Sequence, residues 1–447
     1  MKFQTVRRNF LCILCLTCLL YFPSVLHAQQ SPSVYAITHA KIVTLAGSAI
    51  EDGTLVIRDG KIAAVGASVE VPSGAQAIDG HGLQVYPGLF DPVTQIGLSE
   101  ISAVSSTVDS SETGSYNPDV VAATAVLPSS EHIPVTRASG ITEVLAVPGS
   151  GGFDFSGSRS IIAGQASAFN LAGWTMDEMQ LKRSVAMVLN WPEIQTRTFD
   201  FATFSRKEKP YADAKQEYDK QVNELTDYID RARHYAQAIG HGGPSDFDRD
   251  VKLESLAPVV RGQLPLLVVA DRARDIRNAV EFCEKQKLKM ILAGGEEAYK
   301  VKDLLRSKNI PVILRPMLSL PDEEDDPYDR LLTQPAELSQ SGVKFAIASF
   351  DNSFARRLGQ NAANAVAHGL PYDEALKAVT LYPAQILGLA DQVGTLETGK
   401  IANVIVTNGD PLELTTDVKY LFIEGQLTST DNKHKRLFEK YSDRPRP

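Results

Sequence analysis

Histidine and cysteine are scarce in this chain. Its 447 residues hold eight histidines and four cysteines, and Cys12, Cys15 and Cys18 fall within the first 18 positions. Beyond them only Cys283 remains, so an internal disulfide frame is excluded for the rest of the chain. In NAVEFCEKQ that lone thiol reads as a small packed apolar group rather than a nucleophile. The histidines are His27, His39, His81, His132, His234, His241, His368 and His434, and none forms an HxH or HxxxH pair. A catalytic zinc takes about three protein ligands, and such pairs are how a chain supplies them at close spacing. A Gly-x-Ser-x-Gly elbow is also missing, which argues against a Ser-His-Asp hydrolase, and the GSG at 149–151 reads as a turn. Positive charge is not in excess: 45 Lys and Arg face 54 Asp and Glu, a net charge of -9. That balance gives no footprint for nucleic acid or for an anionic membrane surface.

What is present begins with a leader. Lys2, Arg7 and Arg8 precede the apolar run FLCILCLTCLLYF, and SVLHA ends at Ala28. This is the pattern of a signal peptide over 1–28, with the run too short for a comfortable membrane span. The expectation is a mature chain from Gln29, exported, with the periplasm as first choice. An uncleaved anchor is the other reading.

Short β patterns open and close the remainder. YAITHAKIVTL, GTLVIRDGKIAAVG and AQAIDGHGLQVYPG lie at the front, with a hairpin signal at Arg58-Asp59-Gly60-Lys61. GKIANVIVTNGDP and VKYLFIEGQ lie at the back. Neither group is large enough for a good core alone, so the two ends are expected to pair into one composite β-sandwich. Between them strands such as LPLLVVAD, LKMILAGG, IPVILRPM and VKFAIASFD alternate with amphipathic stretches such as RARDIRNAVEFCEKQK. Strands so spaced require parallel crossovers, and roughly 300 residues of them suit a (β/α)8 TIM-type barrel. An open doubly wound sheet is the alternative. The expected division is a sandwich segment at 29–86, a barrel at 87–392, a second sandwich segment at 393–430 and a polar tail at 431–447.

The most specific stretch is DEALKAVTLYPAQILGLADQVGTLETGKIANVIVTNGDPLE. Together with YPGLFD at 86–91, it resembles the amidohydrolase superfamily, and within it the exported imidazolonepropionase-like amidohydrolases. Ala375-Leu376, Thr380, Pro383-Ala384, Leu387-Gly388-Leu389, Gly394, Leu396, Gly399-Lys400, Ala402 and Asp410-Pro411 match, while Asn403 stands where Asp is usual. The resemblance implies the barrel-in-sandwich fold and hydrolysis of a C–N bond in a cyclic amide, a dipeptide or an N-acyl compound. It also implies one or two divalent metals such as zinc, held at the barrel mouth by histidines after the first, fifth and sixth strands, a Lys or Glu after the fourth and an Asp after the eighth.

Those positions differ here. Val93 and Gln95 replace the first-strand pair, Val269-Ala270-Asp271-Arg272 the fifth-strand stretch and Gly294-Gly295 the sixth-strand His-Gly. Asn190 and Trp191 lie near the fourth-strand position, and Asp351 alone keeps the eighth. The expectation is therefore a catalytically degenerate amidohydrolase without a metal cofactor. Two readings stay open: an active hydrolase with an altered or metal-free site, and a ligand-binding or non-catalytic subunit of a metal-competent relative. Asp351 is the candidate base. Asp271 and Arg315 are candidate ligand-binding groups, Arg315 holding a carboxylate or forming a structural ion pair. The expected ligand is a small amide or peptide-like molecule, with no nucleic acid partner and with association into homo- or hetero-oligomers. The acidic loop PDEEDDPYD reads as a solvated surface turn.

Overall fold

The computed structural model describes residues 34–149, 160–200, 205–240, 249–321 and 325–444. The leader at 1–28, most of the GSG turn, His241 and its loop, and 322–324 of the acidic loop lie outside the described residues. Among the described residues no helix is long and apolar enough to cross a membrane.

Both ends of the chain build one sheet. β1 (Tyr35–Ile42), β2 (Ile50–Arg58), β3 (Lys61–Gly66), β4 (Gln76–Asp79) and β5 (Gln84–Pro87) come from the front. The hairpin between β2 and β3 turns at Asp59 and Gly60, with φ of 52° and 78°. Two left-handed residues in a row give the primed turn that an Asp-Gly pair favours. The chain then leaves for the barrel and returns. β16 (Val404–Thr407), β17 (Val418–Ile423) and β18 (Gln426–Thr428) complete the sheet. β16 joins β5 antiparallel, with Val404 opposite Pro87 and Val406 opposite Val85. The sheet curls until Lys61 bridges Ile401, enclosing Ile37, Ile42, Leu55, Ile57, Val404 and Phe422 as a separate core.

Eight strands form the second sheet, which is nearly closed. They are β6 (Leu89–Thr94), β7 (Ile141–Ala146), β8 (Ile162–Asn170), β9 (Gln180–Asn190), β12 (Leu266–Ala270), β13 (Met290–Gly294), β14 (Val312–Leu314) and β15 (Phe345–Ile347). A small outlying hairpin, β10 (Arg197–Asp200) and β11 (Ser205–Glu208), interrupts the series. Helices such as Ala273–Lys285 and Arg330–Gln340 cover the outside. This is the barrel set in a composite sandwich that the sequence implies, with one difference. β8 runs antiparallel to both β7 and β9, so the third place is filled by a hairpin rather than a crossover. Hairpin and crossover strands alike are buried on both faces here, and so β8 shows no alternation by which the sequence would reveal it.

The seam between β15 and β6 closes at the mouth. Phe350 N donates to Val93 O at 2.8 Å, Thr94 Oγ1 to Asp351 O at 2.5 Å, and Ser349 N to Asp91 Oδ1 at 3.0 Å. The first strand's polar residues are thus committed to closing the barrel.

Candidate functional site at the barrel mouth

Counting around the barrel puts β9 fourth, β12 fifth, β13 sixth and β15 eighth, so the residues expected at the mouth do sit at the C-terminal strand ends, where barrels carry chemistry. Val93 and Val269 turn inward. Both are buried, and they pack in one apolar cluster with Phe90, Ala293, Ala348 and Phe350. Two positions that would carry imidazoles by resemblance therefore form a plug across the barrel interior.

Above the plug lies an ion pair. Arg315 Nε is 3.2 Å from both Oδ1 and Oδ2 of Asp271. The guanidinium also stacks on Phe350, 4.5 Å from the ring centroid. Their side chains keep 19% and 23% exposure, so the pair is only partly screened by water. Gly294 makes the pair possible. Its φ is 97°, which disfavours any side chain, and a Cβ built there would overlap Asp271 Oδ1. The volume a sixth-strand side chain would occupy is filled by the Asp271 carboxylate.

Asp351 stands where the sequence puts it, after the eighth strand. Its Oδ1 accepts from Ser353 N at 2.6 Å and Phe354 N at 2.8 Å, which ties down the turn into the short helical segment Ala355–Arg357. At the fourth strand, Asn190 is buried and donates Nδ2 to Ser160 O at 2.8 Å, while its Oδ1 has no hydrogen-bond partner. Among the described residues no three His, Cys, Asp or Glu side chains are grouped as a metal site would need.

Two acidic groups gain importance that the sequence did not give them. Asp91 is completely buried; its Oδ1 accepts from Ser349 N, and its Oδ2 has no partner. Burial pushes its pKa up to about 7, against the opposing hydrogen bonds from Ser349 and Val93, and the Asp351 charge adds to the rise. A carboxyl with an unpartnered, desolvated oxygen is best accommodated in its neutral form. On the neighbouring strand β7, opposite Phe90, burial raises Glu143 to about 8. Thr142 Oγ1 donates to its Oε2 and Asn403 Nδ2 to its Oε1 at 2.7 Å. The signals were a Glu inside the apolar run ITEVLAV and an Asn where the resemblance implies Asp.

Residues 332–429 match the amidohydrolase family model. Amidohydrolase tasK of Hapsidospora irregularis is 23% identical over 415 residues, 86% of this chain and 40% of that protein. An imidazolonepropionase of Ralstonia nicotianae is 42% identical over 67 residues, 13% of this chain and 16% of the enzyme. The chain therefore spans well under half the length of the curated relatives it matches. In structure it is similar to an amidohydrolase from Thermotoga maritima MSB8, with a TM-score of 0.75 at 24% identity over 88% of this chain and 99% of that one. The chain shares the fold of that Thermotoga maritima amidohydrolase, and the match to the family model is confined to its C-terminal segment.

Proposed function

Because the chain has the amidohydrolase fold and the amidohydrolase family's segment at 332–429, we propose that it is a superfamily protein that binds a small amide- or carboxylate-bearing molecule at the barrel mouth without hydrolysing it. The observation that carries this reading is the Gly294–Asp271–Arg315 arrangement. The hydrolysis that the resemblance implies uses a divalent ion, which needs several nitrogen or oxygen donors around one open place. The donor set here does not fit one: Val93 and Val269 belong to the plug, Gly294 has no side chain, and the Asp271 carboxylate already faces a cation supplied by the protein.

Arg315 is the group suited to a ligand. Its Nε serves Asp271, and a guanidinium has four further N–H donors in a planar fork matched to carboxylate or amide oxygens. Phe350 beneath it fixes the plane. Asp351 spends one oxygen on its own loop, so its service is to position that loop beside the mouth. The export and oligomer expectations stand as proposals of their own and do not bear on this reading.

Elemental analysis of the purified protein, paired with assays on N-acyl amino acids and dipeptides, tests the proposal. The expected result is well under one equivalent of transition metal, no turnover above the uncatalysed rate, and calorimetric binding of an N-acyl amino acid that Arg315→Ala abolishes. A stoichiometric metal whose removal by chelator stops hydrolysis and whose return restores it would overturn the reading.

A further inference from the structure

The polar tail expected at 431–447 contains a helix, Lys433–Ser442, none of whose residues is buried. Asn432 starts it, its Oδ1 accepting from His434 N at 2.9 Å and Lys435 N at 3.2 Å. Arg436 lies 3.0 Å from Asp431 and 3.9 Å from Glu131, and Lys435 Nζ donates to Thr430 Oγ1 at 3.2 Å. Helical spacing of i, i+3, i+4 and i+7 puts His434, Leu437, Phe438 and Tyr441 on one face. That face is open: Phe438 is 74% exposed, Tyr441 45% and Leu437 39%.

Charge surrounds the stripe. Over residues 433–444 there are five cations, Lys433, Lys435, Arg436, Lys440 and Arg444, against Glu439 and Asp443, a local net charge of +3 in a chain of net -9. Lys440 and Arg444 gather at the aromatic ring of Tyr441, 5.4 Å and 4.3 Å from its centroid. The overall negative balance conceals this local reversal.

We propose that this helix docks on an anionic lipid surface, seating Leu437, Phe438 and Tyr441 at the headgroup–acyl boundary with the cations against lipid phosphates. An amphipathic helix with aromatic and leucine side chains on one face and Lys and Arg on the other has the physical make-up of an interfacial helix. A second copy of this chain fits the surface less well. It would bring +3 against +3, and three apolar side chains fall far short of the roughly 800 Å² per partner of a stable protein interface. At an anionic bilayer each cation adds about a fivefold gain in partition. The proposal is independent of what the barrel mouth does.

Vesicle flotation tests it, using the compact unit Val34–Pro447 so that the apolar leader does not contribute. The unit is expected to float with phosphatidylcholine vesicles containing about 30% phosphatidylglycerol, to stay behind with pure phosphatidylcholine, and to be released by high salt. Lys435→Glu with Lys440→Glu is expected to lower partition at least about tenfold, and Phe438→Ser to lower it as well. Both variants should keep the parent's melting temperature, because the helix buries nothing. Absence of flotation, or equal binding by the charge-reversed variant, overturns the proposal. So does light scattering that shows a dimer lost in Phe438→Ser, which would make the face a contact between copies.

Discussion

At Gly294 the backbone conformation and the surrounding space act together. A side chain there meets a left-handed φ of 97° and the Asp271 carboxylate at once. Gly294→Ala is expected to destabilise the protein by about 1–3 kcal/mol, the cost typical of forcing a non-glycine residue into such a region. Adding Asp271→Ala should recover the overlap but not the backbone strain. Urea unfolding of both variants checks this, and a neutral Gly294→Ala would mean the mouth is open enough to rebuild. The same geometry bears on restoring a sixth-strand histidine: it cannot enter while Asp271 keeps its place. Asp91 gives a second prediction. Its pKa rises from 3.8 to about 7 in the folded state. Between those values the folded form holds a proton that the unfolded chain has released, so stability is complete below the lower value and falls as pH rises through the higher. The slope is at most about 1.4 kcal/mol per pH unit for one group. Asp91→Asn keeps an acceptor for Ser349 N and removes the titration. Its melting temperature should decline less than the parent's from about pH 5 to about pH 8. Glu143 shifts in the same direction, so part of the slope will remain. An unchanged slope would assign the whole effect to the other carboxyls that burial raises, Glu143 and Glu424.

Single elements show what the sequence could and could not disclose. The helix Ala273–Lys285 and strand β12 are legible because one is amphipathic and the other is a short apolar run between turn signals. The hairpin at Asp59-Gly60 is legible from two residues. β8 is not, because IAGQASAFN is apolar or small nearly throughout and carries no sign of its direction. The Gly294 cradle is hidden for another reason: a glycine announces a lost side chain, not the carboxylate that filled the space. Most distant from view is the join between barrel and sheet. Asn403, just before β16, gives its amide to Glu143 of β7 and to Asn170 Oδ1 of β8, each at 2.7 Å, and its Oδ1 accepts Glu424 N at 2.8 Å. Partners 233 and 260 positions apart leave no local pattern. The arrangement explains why Asn replaces Asp: an aspartate would bring a third acceptor to Glu143 and Asn170 and supply no donor. Asn403→Asp should cost about 2–4 kcal/mol, as an unpaired buried charge does. Glu143→Gln in the same chain should return part of it above about pH 8, where its amide still donates and Glu143 has lost its proton. A double-mutant cycle by urea unfolding reads the coupling, and additive losses would remove Glu143 from the account.

On the scale of the whole molecule, the path of the chain ties the barrel and the sheet together. β5 pairs with β1 on one side and with β16 on the other, so the front of the sheet is incomplete without the back. The barrel depends on the same return. Asn403 O, just before β16, accepts the N–H of Gly88, just before β6, at 3.0 Å. Ile405, Leu421 and Ile423 of the returning strands belong to the core that surrounds the barrel. The two tryptophans offer separate views of this. Trp191 is 4% exposed and packs on Phe282 at 5.5 Å, whereas Trp174 is 92% exposed. Emission from buried Trp191 therefore reports barrel packing alone. A chain ending at Thr395 keeps all eight barrel strands but loses β16, β17 and β18 and the Asn403 junction. It leaves the edge of β5 unpaired and uncovers the apolar side chains that Val404, Val406 and Phe422 pack against, and such exposure favours aggregation. The expected outcome is loss of the buried Trp191 emission and of the cooperative urea transition, although no residue near Trp191 has been removed. In the intact chain, fluorescence and far-UV circular dichroism should give the same midpoint. A truncated chain that retained a sharp transition with Trp191 still shielded would show that the barrel stands without its sheet, and the long reach of Asn403 would then be a local convenience rather than the tie between them.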